Sequence, residues 1–200
     1  MHCHTLPVTT RHRQRTLLIP GAAVVLLLAS CGDLSTQAPD HGVEPHQASS
    51  SISTSELNRQ LASLRQLTAR FQNFSAAEAA KYGTKITPCW YHSDLGGQGY
   101  HYGNPELIDG TVALLEPELI MYEPNRAGHM KLVGIEYIVP IKDWQGSEPP
   151  TLLGQVFHEN EALGLYVLHV WLWKQNPAGI FENWNPNVSC QHAADSEDRS

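Results

Sequence analysis

The sequence predicts an α+β domain in which an N-terminal helical arm packs on a mainly antiparallel β-sheet, barrel-like or sandwich. Three observations predict it. Leu57, Leu61, Leu64, Leu67, Phe71 and Phe74 recur at spacings of three and four, which draws one apolar stripe along a helix. Beyond Gly83 the texture changes to short apolar runs, and Pro88, Pro105, Pro117, Pro124, Pro140, Pro149, Pro150, Pro177 and Pro186 exclude long helices there. The longest of these runs are rich in β-branched and aromatic side chains, which suit strands.

Taken in order, the chain opens on a basic stretch with Arg11, Arg13 and Arg15, followed by an apolar run from Leu17 to Leu28. Such a run spans roughly 18 Å as a helix, short of the ~30 Å of hydrocarbon in a bilayer. Leu28-Ala29-Ser30-Cys31 closes it, and small residues directly before a cysteine resemble the lipobox of bacterial lipoproteins. The resemblance implies a signal peptide over 1–30, cleavage before Cys31, lipidation of Cys31 and a membrane-anchored protein of the bacterial cell envelope, facing away from the cytoplasm. Residues 31–52 are rich in Ser, Pro, Gln, His and Asp and read as a flexible tether, with His41 and His46 as weak metal-sequestering candidates.

A single domain is expected over 53–190. Ser53-Thr54-Ser55-Glu56 is a capping box that starts the striped helix. Ser75-Ala76-Ala77-Glu78 is a second box, with a short helix running to Tyr82 and stopping at Gly83. Strands are expected at Thr111–Leu115, Leu119–Tyr122, Met130–Val139, Leu152–Phe157 and Leu163–Lys174, and 191–200 as a loose tail.

Charge and cysteine usage narrow the function classes. Without the leader the chain carries ten basic against 20 acidic side chains, which argues against nucleic acid as a partner. Cys89 and Cys190 form an even pair once Cys3 and Cys31 are set aside. A disulfide between them is expected, because two thiols serving a metal would favour a Cys-x-x-Cys neighbour that neither has.

Two polar residues stand inside apolar strands: Glu136 in Leu132–Val139 and His169 in Leu165–Trp173. Strand alternation puts Glu136 on a face with Leu132 and Ile138, and His169 on a face with Val167 and Trp171. A buried carboxylate needs a partner, and His169 can supply one. The pair is open to three readings: a structural pair that fixes strand register, a divalent metal site with His101 or His158 as third ligand, or an acid–base pair. A second constellation, Gly96 to Pro105, reads either as a flexible loop at a pocket mouth, carrying Tyr100, His101, Tyr102 and Asn104, or as an ordinary surface turn. A third, with Trp171, Trp173, Asn176, Phe181, Trp184, Asn185 and Asn187, suits either a packed corner or a sugar-binding face.

Tyr100-His101-Tyr102-Gly103-Asn104-Pro105, Tyr122-Glu123-Pro124, Leu132 to Tyr137, Leu168 to Trp173 and Trp184-Asn185-Pro186 together resemble a group of bacterial secreted proteins and lipoproteins of unassigned activity. That resemblance implies a shared fold from about Ala79 to Cys190 and supplies no catalytic residue. The sequence thus leads to a lipid-anchored protein that binds a small ligand or a metal ion in a pocket of His101, Glu136 and His169, with Trp171 as a pocket wall. The alternatives are a metal-dependent envelope enzyme using the same residues and a structural envelope protein that docks a partner on the Leu57–Phe74 stripe.

Overall fold

The computed structural model describes residues 52–200, so the leader, Cys31, His41 and His46 lie outside the described residues. The expected α+β class is what folds. A helical arm packs against a curled, mostly antiparallel sheet that forms a half-barrel. No helix among the described residues is long and apolar enough to cross a membrane.

The arm begins where the capping box places it. Helix α1 (Thr54–Thr68) starts on Ser53, whose hydroxyl accepts the Glu56 N–H at 3.2 Å. The reciprocal half of the box is not made, because Glu56 instead binds Arg59 and Gln60. A 3₁₀ turn (Ala69–Gln72) leads to α2 (Phe74–Ala79). The second cap is Asn73 rather than Ser75, and α2 ends at Ala79 instead of Tyr82. Asn73 presents its carboxamide oxygen two residues earlier and accepts the Ser75 N–H, at 3.1 Å.

Ten strands follow: β1 (Thr84–Lys85), β2 (Cys89–His92), β3 (Gly96–Gly103), β4 (Leu119–Pro124), β5 (Met130–Pro140), β6 (Thr151–Leu152), β7 (Gln155–Val156), β8 (His158–Asn160), β9 (Leu165–Val170) and β10 (Ser196–Asp198). The main sheet runs β10-β2-β3-β4-β5-β9-β8, with β1 paired to β3, and β6 and β7 form a separate two-stranded sheet. The expected strands at Leu119, Met130 and Leu163 are present, the last trimmed to Leu165–Val170. Thr111–Leu115 is not a strand but an irregular segment ending in a turn. Leu152–Phe157 is broken by a turn at Leu153-Gly154, where both residues have positive φ. The tail is not loose: β10 pairs in parallel with β2.

One face of the sheet carries Ile120, Tyr122, Leu132, Ile135, Tyr137, Val139, Leu168 and Val170 and packs on Leu61, Leu64, Phe71 and Ala77 of the arm. The apolar stripe therefore covers its own sheet. Polar contacts fix the docking: Tyr122 Oη donates to the Phe71 carbonyl at 2.8 Å, and Trp173 Nε1 to Thr68 Oγ1 at 3.0 Å. The opposite face carries Leu119, Met121, Glu136, Ile138, Val167 and His169, as the cross-strand pairs Leu119↔Glu136, Glu136↔His169 and Ile138↔Val167 require.

A β-bulge corrects the expected alternation. Met121 pairs with Gly134 but Tyr122 pairs with Leu132, so Val133 is an extra residue on β5. Leu132 is thereby shifted to the helix-facing side, away from Glu136, while Val133 joins Met121 and Trp171.

The glycine-rich segment is not a loop. It is the eight-residue strand β3, buried along most of its length between β2 and β4. Gly99 has φ of +82°, and a Cβ there would lie 2.4 Å from the Tyr122 carbonyl oxygen. Gly99→Ala is expected to cost about 2 kcal/mol, from backbone strain and the displaced strand. Urea unfolding checks this, and a variant as stable as the parent chain would show that β3 yields at no cost.

Candidate metal centre

Three strands bring the centre together. β3 supplies His101, β5 supplies Glu136 and β9 supplies His169. All three are buried, at 1%, 6% and 2% exposure. His101 Nε2 lies 3.3 Å from Glu136 Oε2, and His169 Nε2 lies 3.4 Å from Glu136 Oε1. One ligand atom from each residue can be chosen so that all three lie within 4.8 Å of one another. Donors that share one first-row ion, each at about 2.0–2.1 Å from it, sit roughly 3.0–3.4 Å apart in ordinary geometries. Both His–Glu separations already meet that spacing, and the widest one must contract to join it.

The three groups do not satisfy one another by hydrogen bonding. His101 Nε2, His169 Nε2 and His169 Nδ1 have no hydrogen-bond partner although they are buried. Each such orphan costs roughly 1–3 kcal/mol, so their grouping calls for a physical cause. The second nitrogen of His101 is satisfied: Nδ1 lies 2.8 Å from Thr87 Oγ1, and Thr87 Oγ1 also accepts the His101 backbone N–H at 3.3 Å. With Nδ1–H donated to Thr87, the lone pair of Nε2 faces Glu136, which is the tautomer a metal ligand needs.

Electrostatics favour neutral groups in the absence of a cation. Burial pulls His101 down to about 3, reinforced by His169. Burial pulls His169 down to about 4, with the Asn183 side chain working the other way. Burial pushes Glu136 up to about 8, and the nearby Glu118 carboxyl adds to the rise. Two neutral imidazoles and one ionisable carboxyl form a donor set suited to Zn, Mn, Fe or Cu in the divalent state. The cluster is able to coordinate a metal ion.

The other expected site residues fall elsewhere. His158 stands exposed on the wall of a cavity in front of the cluster and is not one of the three convergent residues. Tyr100 packs beside Cys89 and Cys190 and donates its hydroxyl to Asp195. Tyr102 faces the helical arm, edge-on to Phe74 and Tyr122. Asn104 caps the 3₁₀ turn Pro105–Leu107. Trp171 stacks on His169 at 6.1 Å and 13° but does not line the cavity. Only Tyr102 is turned to the helical face, while Tyr100, Asn104 and Trp171 lie outside the cavity lining and His158 stands on it.

The aromatic and amide-rich corner is a packed corner. Asn176, Asn185 and Asn187 donate to the carbonyls of Trp184, Lys174 and Gln175, and Trp171 Nε1 donates to that of Glu182. Its amides are thus committed internally. Cys89 and Cys190 form the expected disulfide. Together with the Gly97↔Asn185 bridge it ties residues 183–190 against β2 and β3. That places Asn183 and Trp184 on the cavity wall.

Sequence reasoning missed Thr87, Trp90 and Gln98. Trp90 lies 5.6 Å from the His101 ring, and Gln98 donates to the Asn183 carbonyl at 2.9 Å. None carries a pattern in sequence that separates it from its neighbours.

No known protein family, curated protein or solved structure matches the chain.

Proposed function

We propose that the protein binds one divalent transition-metal ion through His101, Glu136 and His169. The observation that carries this is the meeting of two buried imidazole nitrogens without partners at one buried carboxylate, 3.3 and 3.4 Å away. A register-fixing pair would leave these nitrogens unsatisfied, whereas a cation takes up both Nε2 lone pairs and the carboxylate charge together. Thr87 orients His101 from behind.

Metal analysis and calorimetric titration of the metal-free full chain with Zn²⁺ test the reading. One ion per chain is expected. Because Glu136 must ionise to ligate, binding at pH 7 should release about one proton, and the release should fall to about half at pH 8 and vanish by about pH 10. Glu136→Gln should abolish tight binding, and Thr87→Val should weaken it about 10–100-fold by freeing the His101 ring. Zn²⁺ uptake that Glu136→Gln and His169→Ala leave unchanged would assign the metal elsewhere and end this proposal.

We propose separately that the domain lies on the outer side of a bacterial membrane, held by lipid on Cys31. The residues Leu28 to Cys31 and an oxidised cysteine pair support it. Cys31→Ser is expected to move the protein from the membrane to the soluble fraction or leave it unprocessed, since several acyl chains anchor where one does not. A processed Cys31→Ser protein that stays with the membrane would overturn the anchor.

A further inference from the structure

The cavity in front of Glu136 and His169 constrains what could share the cation. Its volume is about 390 Å³, at the small end of sites that enclose organic molecules. Leu119, Ile138 and Val167 pack together as its apolar floor. Ile86 and Leu163, both on the lining, are each 41% exposed, so the apolar wall continues outward to solvent. Among the described residues no lysine, arginine or aspartate lines it, and its titratable residues are Glu136, His169 and His158.

A dication held by one carboxylate and two neutral imidazoles keeps one unit of positive charge. Apolar walls screen that charge poorly, and no second acidic side chain on the lining balances it. A dianion would overshoot the charge, and a bare inorganic anion would leave the apolar floor in water.

We propose that this cavity takes a small organic monoanion, with a carboxylate or enolate oxygen on the metal and an apolar body against Leu119, Ile138, Val167 and Leu163. The proposal rests on the metal reading above.

Benzoate and its neutral isostere benzamide are suitable probes, added to the full chain loaded with Co²⁺. Benzoate is expected to change the visible Co²⁺ spectrum saturably, with one equivalent bound and at least about tenfold tighter binding than benzamide. Leu163→Glu, at the exposed mouth, should keep the Co²⁺ spectrum and weaken benzoate about tenfold by like-charge repulsion. A Co²⁺ spectrum that millimolar benzoate does not move, or that benzamide moves equally well, overturns the monoanion inference and leaves the metal reading standing. Unchanged benzoate affinity in Leu163→Glu overturns the assignment to this cavity. A chain that takes up no Co²⁺ overturns both.

Discussion

In metal-free buffer the protein is expected to lose about 2.5 kcal/mol of stability between pH 6.5 and 8, and Glu136→Gln about 1 kcal/mol. Glu136 and Glu118 are each raised to about 8 by burial. Their contribution is complete below the ordinary carboxyl value of 4.5 and is lost as pH rises through the folded value. His101 and His169 run the other way in pH: lowered to about 3 and 4, they contribute fully above 6.5 and lose that contribution as pH falls. Between 4.5 and 6.5 the two carboxyls and two imidazoles offset one another. Above 6.5 the imidazole gain dies away and the carboxyl loss dominates, at up to about 1.4 kcal/mol per pH unit for each group and tapering as the folded value is reached. Chemical denaturation in EDTA across this range gives the slope directly. A parent chain with a flat profile from pH 6.5 to 8, or a Glu136→Gln profile parallel to it, would mean that Glu136 titrates as an ordinary surface acid.

The second large effect belongs to the disulfide. Replacing Cys89 and Cys190 together by alanine should lower the unfolding free energy by about 4–5 kcal/mol, because a bond across a separation of 101 residues restricts the unfolded chain strongly. The loss should appear as a lower urea midpoint in the double variant and equally in the parent chain with reductant. The segment 183–190 should loosen with it, since the Gly97↔Asn185 bridge would then hold that segment with less help. A shift below about 1 kcal/mol would show that the bond adds little to a fold already closed by β10 and the Lys174–Glu123 ion pair.

The convergence of the three residues was legible because two of them violate a rule. A Glu and a His inside apolar strands must be partnered, and Glu136↔His169 is a direct cross-strand pair. His101 was harder to place, because its surroundings look like a turn. Glycine is depleted in strands generally, so a strand built on Gly96, Gly97, Gly99 and Gly103 gives no propensity signal. Those glycines are needed where backbones approach, as at Tyr122 and Asn185, and that is a property of the neighbours. The bulge at Val133 is equally invisible, since the sequence there remains uniformly apolar and alternation has no polar residue to mark the change of phase. Helix boundaries failed for a simpler reason: Asn73 and Ser75 are both competent caps, and the earlier one won.

Cys89 and Cys190 also bracket the whole centre, for His101, Glu136 and His169 all lie between them in the chain. Synthesis therefore delivers all three residues before the cysteine that seals the bracket. An ion captured early would meet a cavity whose wall at Asn183 and Trp184 has not yet been fastened. First-row ions compete for His and carboxylate ligands largely according to which is available. For a cation held here, the ions present before the bracket closes and those present where it closes therefore both bear on which one is kept.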